Sequence, residues 1–241
     1  MAEVANSPVP LDSIPISPNG GDAATDGAAA ANGDVVTVFH DPNNFNVKHP
    51  LAHQWTLWFT KPPSGKQDWN ELLKEVITFD SVEEFWGIYN NITPASELAQ
   101  KSDYHLFKRG VRPEWEDPQN KHGGRWAYTF KERKANDDVW LAVLLAAIGE
   151  QLEDENDNEV MGVVVNIRKA FYRIGLWTRT SGKSIPGQKG RTAEENKQVL
   201  EKIGKRFKDC LNLKEGEVVE FMGHADSAHS GSSRAKAKFA V

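Results

Sequence analysis

The chain has 241 residues, of which 39% are hydrophobic and 26% are charged, and its formal net charge is −5. These proportions are ordinary for a globular protein, and the length fits one large domain or two small ones. Cys210 is the single cysteine, which excludes a disulfide scaffold. The sequence shows no signal peptide and no apolar run long enough to span a membrane, which excludes a membrane protein. We therefore expect a cytoplasmic protein with a nuclear fraction.

The first 34 residues differ from the rest in composition. They contain five acidic residues, no Lys or Arg, and repeated Ala, Gly, Pro and Ser. Such a segment buries too little apolar area to offset the entropy of ordering, so we predict a disordered acidic tail over residues 1–34. Since the whole chain has 29 basic and 34 acidic residues, residues 35–241 carry equal numbers of each. We expect one domain there, and any contact with nucleic acid must be local.

Several runs along this domain have the composition of strands and are bounded by turn-forming residues. They are Gln54–Thr60, Glu75–Phe79, Tyr104–Arg109, Gly124–Lys131, Met161–Arg168, Phe171–Arg179 and Glu217–Met222. Short connections between them favour an antiparallel sheet.

Three helices are predicted between these strands. The first begins after Ser81, which forms a capping-box pattern with Glu84. The last opens at Thr192 with Glu195 and has the apolar stripe Val199, Ile203, Phe207 and Cys210. The middle helix, about Asp137 to Leu152, has two apolar stripes. One stripe is Trp140, Val143, Leu144, Ala147 and Ile148, and the other is Leu141, Leu145 and Leu152. The first stripe can face the sheet while the second stays exposed; the alternative is a helix buried on all sides.

Two of the eight tryptophans, Trp69 and Trp115, stand in polar segments with the Pro and charge content of loops. A hydrophobic core is not expected for either ring, so we expect both to bind a ligand. In the strand run from Phe171 to Arg179, a period of two places Arg173, Trp177 and Arg179 on one face and apolar residues on the other. One face of that strand therefore combines cations with an indole.

Basic residues mark a candidate anion site. Arg168, Lys169 and Arg173 bracket a predicted tight turn, and Arg125 begins another strand after two glycines. Arginine favours bidentate contact with phosphate oxygens. The alternative is surface charge for solubility, which is weakened because Arg173 shares a strand face with Trp177.

Motifs for catalysis or metal binding are incomplete. The sequence Gly182-Lys183-Ser184 lacks the earlier glycine of a phosphate loop, since Trp177 stands there. The acidic run 153–159 lacks the Gly and Glu that a calcium loop requires. We therefore expect a binding protein with no catalytic residue, no metal and no cofactor.

A series of short motifs occurs in order along the chain. They are Lys48-His49-Pro50-Leu51, Trp55-Thr56-Leu57-Trp58-Phe59, Val82-Glu83-Glu84-Phe85-Trp86, Trp115-Glu116-Asp117, Gly123-Gly124-Arg125-Trp126, Trp140-Leu141, Ile148-Gly149-Glu150, Val165-Asn166-Ile167-Arg168, Leu176-Trp177-Thr178 and His224-Ala225-Asp226. In this order they resemble the eukaryotic translation initiation factor 4E family, which binds the messenger RNA cap, over about His40 to Val241. The resemblance implies an α+β domain with a curved antiparallel sheet of about eight strands, three helices on its convex face and the cap site on its concave face.

The resemblance also implies the cap-binding residues. The matching positions are Trp69, Trp115, Glu116, Arg125, Arg168, Lys169, Arg173 and Trp177. The first two would sandwich 7-methylguanine, Glu116 would accept hydrogen bonds from its Watson–Crick edge, and Trp177 would lie beside the N7-methyl group. The arginines would contact the phosphates. Lys169 is the expected auxiliary cation, because Ala170 stands where the family often has a basic residue.

A second set of positions matches the family's convex partner surface. They are His49, Pro50, Val82, Trp86, Leu141 and Leu145. In the family this patch receives a helix with the pattern Tyr-x-x-x-x-Leu-hydrophobic from the scaffold initiation factor 4G or from inhibitory 4E-binding proteins. Ala142 stands where a Glu often follows the exposed leucine, so one polar contact to the partner is expected to be missing.

The implied function is a monomeric protein that binds capped messenger RNA and recruits factor 4G to start translation, without contact with a membrane. One alternative is a repressor of the same fold that holds the cap and does not recruit the scaffold. Another is a hydrolase acting on the cap, which would need metal-binding carboxylates on a helix.

Overall fold

The computed structural model of the protein describes residues 36–41, 44–63, 65, 68–132, 134–183, 190–230 and 237–241. For Trp69 and residues 228–230 the structure describes the backbone and not the side chains. The predicted disordered tail, residues 1–34, lies outside the described residues, so the domain boundary stays a prediction. Within the described ranges, no helix is long and apolar enough to cross a membrane.

The described chain forms one sheet with helices between its strands. The elements are β1 (Pro50–Thr60), α1 (Trp69–Leu72), β2 (Leu73–Ser81), α2 (Val82–Tyr89), a 3-10 turn at Ala95–Glu97, β3 (Asp103–Lys108), β4 (Gly124–Phe130), α3 (Asp137–Ile148), β5 (Val160–Ile167), β6 (Tyr172–Thr178), α4 (Ala193–Cys210), β7 (Glu220–Gly223), α5 (His224–Ser230) and β8 (Phe239–Ala240). All neighbouring strands are antiparallel, in the order β2-β1-β3-β5-β6-β4-β7-β8. The predicted α+β fold is confirmed.

The helix caps explain where the three long helices begin. The Ser81 hydroxyl accepts a hydrogen bond from the amide of Glu84, and Thr192 forms a complete capping box with Glu195. These two caps were predicted from the sequence. The cap of α3 was not: the side chain of Asn136 accepts hydrogen bonds from two amides of the first turn. Caps of this kind stabilise a helix by about 1 kcal/mol each.

Alternation along the strands separates an apolar face from a polar one. On the convex face, side chains such as Trp55, Leu106 and Leu176 form the main core, together with Phe85 of α2 and Phe207 of α4. Helix α3 contributes its first predicted stripe to the same core. Burial of each large apolar side chain stabilises the fold by about 1.5–3 kcal/mol, so these contacts fix the helices on the sheet.

Three local expectations were wrong. Trp69 does not lie in a loop but begins α1, a single turn closed by a hydrogen bond from the amide of Glu71 to the carbonyl of Asp68 at 3.0 Å. The middle helix ends at Ile148, before Leu152. Leu152 is 1% exposed and belongs to the core, so it is not part of an exposed stripe. Helices α1 and α5 and strand β8 are too short to carry a periodic signal.

The concave face is ordered by strand register into rows of facing residues. In chain order, the rows are Asp103, Thr129, Asn166 and Arg173; then His105, Ala127, Val164 and Gly175; then Phe107, Arg125, Gly162 and Trp177. Gly162 allows the third row to pack closely, because a Cβ atom there would lie 2.4 Å from Cγ of Phe107. The first row is thus polar, and the third row combines two aromatic rings with Arg125.

Candidate functional site

A cavity of about 660 Å³ opens on the concave face. Its lining comprises Asp68, Asn70, Asp103, His105, Pro113, Glu114, Trp115, Glu116, Arg125, Val164, Asn166, Arg168, Phe171, Arg173, Gly175 and Trp177. Six predicted site residues are therefore brought together from four separate parts of the chain. Lys169 lies exposed in the turn beside Arg168 and is outside this lining.

Trp69 stands between two residues that line the cavity, Asp68 and Asn70. The carboxylate of Asp68 accepts a hydrogen bond from the amide of Asn70 at 3.4 Å, at the start of α1. The backbone of Trp69 is thereby positioned at the edge of the cavity. Its side chain lies outside the described part of the structure.

The loop that carries Trp115 and Glu116 is held by two side chains that the sequence reasoning missed. The carboxylate of Asp117 accepts hydrogen bonds from the amides of Arg112 at 2.9 Å and Gln119 at 2.8 Å. The buried side-chain amide of Asn120 donates to the carbonyls of Arg112 at 2.8 Å and Glu114 at 3.0 Å. These bonds fix the backbone on both sides of Trp115. The indole therefore has a defined position although it lies outside any strand or helix.

The aromatic end of the cavity rests on a small second apolar cluster. Its buried members are Trp58, Leu73, Phe107, Val111, Met161, Val164 and Trp177, and Trp115 packs against them. Trp177 is 7% exposed and meets Phe107 edge-on, with ring centroids 5.4 Å apart. The ring of His224 lies 4.2 Å from that of Trp177. Trp177 is thus held rigidly by its neighbours where it lines the cavity, whereas the partly buried Trp115 belongs to a loop.

The opposite end of the cavity is cationic. Arg168 donates two hydrogen bonds to the carboxylate of Asp103, at 2.6 and 3.3 Å, and a third to the carbonyl of Ile167 at 2.9 Å. The Nε of Arg173 donates to the hydroxyl of Thr129 at 3.0 Å. These bonds orient both guanidinium groups beside the polar row of the sheet.

Arg125 is the third arginine of this cluster and the most buried, at 9% exposure. Burial, together with the charges of Arg173 and Arg168, lowers the pKa of Arg125 to about 10. A guanidinium with this pKa remains charged at neutral pH. Three neighbouring cations repel one another in a partly enclosed space, so a bound anion would relieve the repulsion.

His105 also lines the cavity and was not predicted as a site residue. Its Nε2 lies 2.8 Å from the hydroxyl of Thr60, and the residue is 4% exposed. Burial lowers the pKa of His105 to about 4; the charge of Asp103 opposes this shift and that of Arg168 adds to it. His105 is therefore neutral at pH 7 and adds no charge to the site. The two-residue spacing from Asp103 was the available sequence signal.

Glu116 gives the cavity an exposed carboxylate beside Trp115. The carboxylate of the neighbouring Glu114 forms an ion pair with Arg112, whose Nε lies 3.0 Å away. The cavity as a whole offers an acceptor and aromatic rings at one end and the guanidinium groups of Arg168 and Arg173 at the other, while Arg125 faces Trp177 in the strand register. A planar base that carries N–H donors and a phosphate chain has the complementary chemistry.

The predicted partner patch lies on the convex side. Exposed apolar side chains occur at Val82 (37%), Trp86 (37%) and Leu145 (38%), and Leu141 is partly buried. His49 and Pro50 are exposed as well, and the carbonyl of His49 accepts a hydrogen bond from the amide of Val82 at 3.0 Å. The structure therefore keeps His49 and Pro50 at the start of α2.

Helices α2 and α3 present this patch together. Burial raises the pKa of Tyr89, and the carboxylates of Asp137 and Asp138 raise it further, which indicates that the end of α2 lies near the start of α3. Trp86 meets Phe85 and Tyr89 edge-on, at centroid distances of 5.2 and 5.9 Å. The exposed indole is thus held by two aromatic neighbours.

Comparisons with known proteins give a consistent result. The family model described as eukaryotic initiation factor 4E matches residues 50–239. Eukaryotic translation initiation factor 4E-1 of Schizosaccharomyces pombe is 55% identical over 207 residues, which cover 85% of this chain and 88% of that protein. Eukaryotic translation initiation factor 4E of Candida albicans is 50% identical over 203 residues, which cover 82% and 90% of the two chains.

A solved structure shows the same architecture. The structure of C. elegans eIF4E-3 with the 4E-binding protein Mextli and a cap analog has a TM-score of 0.69 and 34% sequence identity to this chain. The match covers 81% of this chain and 100% of the other.

Proposed function

This chain belongs to the eukaryotic initiation factor 4E family, and we propose that its concave cavity binds the 7-methylguanosine cap of messenger RNA for the initiation of translation. The observation that carries the proposal is the order of groups in one cavity. Trp115, Glu116 and Trp177 lie at one end, Arg125 faces Trp177 across neighbouring strands, and Arg168 and Arg173 lie beside the polar row at the other end. A methylated guanine with a triphosphate chain requires that order.

Each part of the ligand has a matching group. Methylation at N7 makes the base cationic, so an indole face attracts it by cation–π interaction in addition to stacking. Glu116 can accept two hydrogen bonds from N1 and N2 of guanine, which adenine does not offer. Stacking contributes about 1–3 kcal/mol, cation–π attraction about 2 kcal/mol, and hydrogen bonds to a charged group about 1.5–3 kcal/mol each. Together with the phosphate contacts these terms exceed the entropy of association, so we expect micromolar or tighter binding with a preference for the methylated base.

Trp69 and Lys169 complete the proposed site. Trp69 is assigned as the second stacking ring because Asp68 and Asn70, on either side of it, both line the cavity. Lys169 is assigned as an auxiliary phosphate ligand because it is exposed next to Arg168. Its amine would reach phosphates at the mouth of the cavity, since a lysine side chain is long and flexible.

The direct test is a titration of tryptophan fluorescence with 7-methyl-GTP and with GTP. We expect quenching by both and tighter binding of the methylated ligand. Trp115→Ala should abolish the binding of 7-methyl-GTP. Equal affinity for the two nucleotides, or no quenching by either, would overturn the proposal.

We further propose that the convex patch recruits the scaffold factor 4G and inhibitory 4E-binding proteins through their Tyr-x-x-x-x-Leu-hydrophobic helix. Its support is the exposure of Val82, Trp86 and Leu145, which form an apolar surface suited to a helix. Trp86→Ala should prevent the binding of a scaffold-derived peptide and leave the affinity for 7-methyl-GTP unchanged. Unchanged peptide affinity would contradict the assignment. Cap binding by the parent chain without peptide binding would favour the repressor alternative.

The proposed protein is not an enzyme, and incubation with capped RNA should release neither 7-methyl-GDP nor 7-methyl-GMP. Release of either product would revive the hydrolase alternative. The division into an acidic tail, residues 1–34, and a cap-binding domain, residues 35–241, is part of the same proposal. Limited proteolysis should remove the tail and leave a domain that binds 7-methyl-GTP with unchanged affinity.

A further inference from the structure

Phe171 lines the cavity without a role in the proposed contacts to the cap. It lies in the turn between β5 and β6, which is closed by a hydrogen bond from the amide of Arg168 to the carbonyl of Phe171 at 3.0 Å. Among the residues that the structure describes, Phe171 is half-buried and packs against neither of the two apolar clusters. Core packing therefore does not account for an aromatic ring at this position.

The immediate neighbour of the ring is a cation of the phosphate site. The guanidinium carbon of Arg173 lies 5.7 Å from the centroid of Phe171, within the range of a cation–π contact. Arg173 is also bonded to Thr129, so its guanidinium group is held from two sides. The ring is thus fixed beside the place where phosphates are expected to bind.

The position of Phe171 along the ligand follows from the geometry of β6. Trp177, at the base end of the cavity, is four positions from Arg173 on β6, and an extended strand covers about 13 Å over that separation. A cap that stacks its guanine at the aromatic end directs its triphosphate chain toward the arginines. Phe171 precedes Arg173 by two residues, so it lies farther from Trp177 along the chain than Arg173 does. In capped RNA, the group attached to the far end of the triphosphate is the first transcribed nucleoside.

We propose that Phe171 stacks on the base of the first transcribed nucleotide of capped RNA, an inference that rests on the proposed cap-binding function. Every nucleobase has an aromatic face, so this contact accepts any of the four bases and reads no sequence. It extends the binding site from an isolated cap to the capped end of an RNA chain. The competing explanation is that the ring only positions Arg173.

The test compares three ligands by isothermal titration calorimetry, which does not depend on tryptophan fluorescence. They are 7-methyl-GTP, the dinucleotide 7-methyl-GpppA, and 7-methyl-Gppp-ribose, which keeps the bridging triphosphate and lacks the second base. For the parent chain we expect the dinucleotide to bind about fivefold more tightly than the base-free analogue, the lower end of the effect of base stacking. For Phe171→Leu, which keeps an apolar side chain and removes the aromatic face, the two should bind equally. Phe171→Trp should restore the difference.

A matched control is Phe39→Leu, because Phe39 is 95% exposed and lies outside the cavity. It should preserve the ratio of the parent chain. A ratio that is unchanged in Phe171→Leu, or a ratio of one in the parent chain, would overturn the proposal. An equal loss of affinity for all three ligands in Phe171→Leu would also overturn it, since that result would show that the ring only positions Arg173. If the parent chain fails to bind 7-methyl-GTP, the proposed function itself is wrong, which separates the two failures.

Discussion

Replacement of Asp117 by alanine is expected to weaken cap binding, although Asp117 does not line the cavity. Its carboxylate accepts hydrogen bonds from the amides of Arg112 and Gln119, and the residue is 7% exposed. These bonds fix the loop that presents Trp115 and Glu116. Without them the loop samples other conformations, and the ligand must order it on binding.

The expected magnitude follows from the two bonds that are lost. A hydrogen bond to a charged group contributes about 1.5–3 kcal/mol, so the ordered loop loses about 3 kcal/mol if the lower value applies to each. Water replaces part of this interaction at the exposed side of the opened loop. A remaining loss of about 1.4–2 kcal/mol corresponds to an affinity reduced by about tenfold to thirtyfold, because only the ordered fraction binds.

Titration of 7-methyl-GTP into Asp117→Ala measures this effect, and Asp117→Asn should be intermediate because it keeps one acceptor oxygen. Asp209→Ala is the matched control, since Asp209 is exposed on α4. The melting temperature should change little, because the loop contributes few residues to the main core. If Asp117→Ala binds 7-methyl-GTP within twofold of the parent chain while Trp115→Ala abolishes binding, the idea of a loop held in advance by Asp117 is refuted.

Three further predictions concern stability. Burial, with a smaller effect of the nearby arginine, lowers the pKa of His224 to about 3, so between about pH 6.5 and 3 the unfolded chain binds a proton that the folded chain does not. Because of this group, the unfolding free energy should fall by about 2 kcal/mol from pH 7.5 to pH 5. In urea titrations, the unfolding free energy of His224→Phe should fall by about 2 kcal/mol less over the same pH range than that of the parent chain. Glu153→Ala should destabilise the domain by about 3–5 kcal/mol in urea unfolding at pH 7.5, because it leaves the buried ammonium group of Lys108 without the carboxylate 3.1 Å away. Gly162→Ala should cost at least about 1–3 kcal/mol, since its Cβ would lie 2.4 Å from Phe107, and a variant as stable as the parent chain in urea would contradict that packing.

Local patterns in the sequence were sufficient for most of the architecture. The alternation from Tyr172 to Thr178 predicted which side chains face the core, and the register of β6 with its neighbours agrees. Capping-box patterns placed the starts of α2 and α4, although only Thr192 and Glu195 complete the box, since the carboxylate of Glu84 accepts from the amide of Asp80. These signals are local, because side-chain direction in a strand and satisfaction of amides in a first helical turn depend on neighbouring residues. The length of the middle helix was overestimated, since apolar residues continue to Leu152 after the helix ends.

The sequence by itself, through its motifs, determined the family and a list of residues expected to touch the ligand. Only the tertiary structure decided how those residues are held and which others join them. The pairing of Arg168 with Asp103, 65 positions apart, and the contact of His105 with Thr60 arise from strand register. The hydrogen bonds by which Asp117 and Asn120 fix the Trp115 loop depend on the path of that loop. These contacts join groups separated in the sequence, and the physical reason is that the folded backbone, not local composition, sets the distances between them.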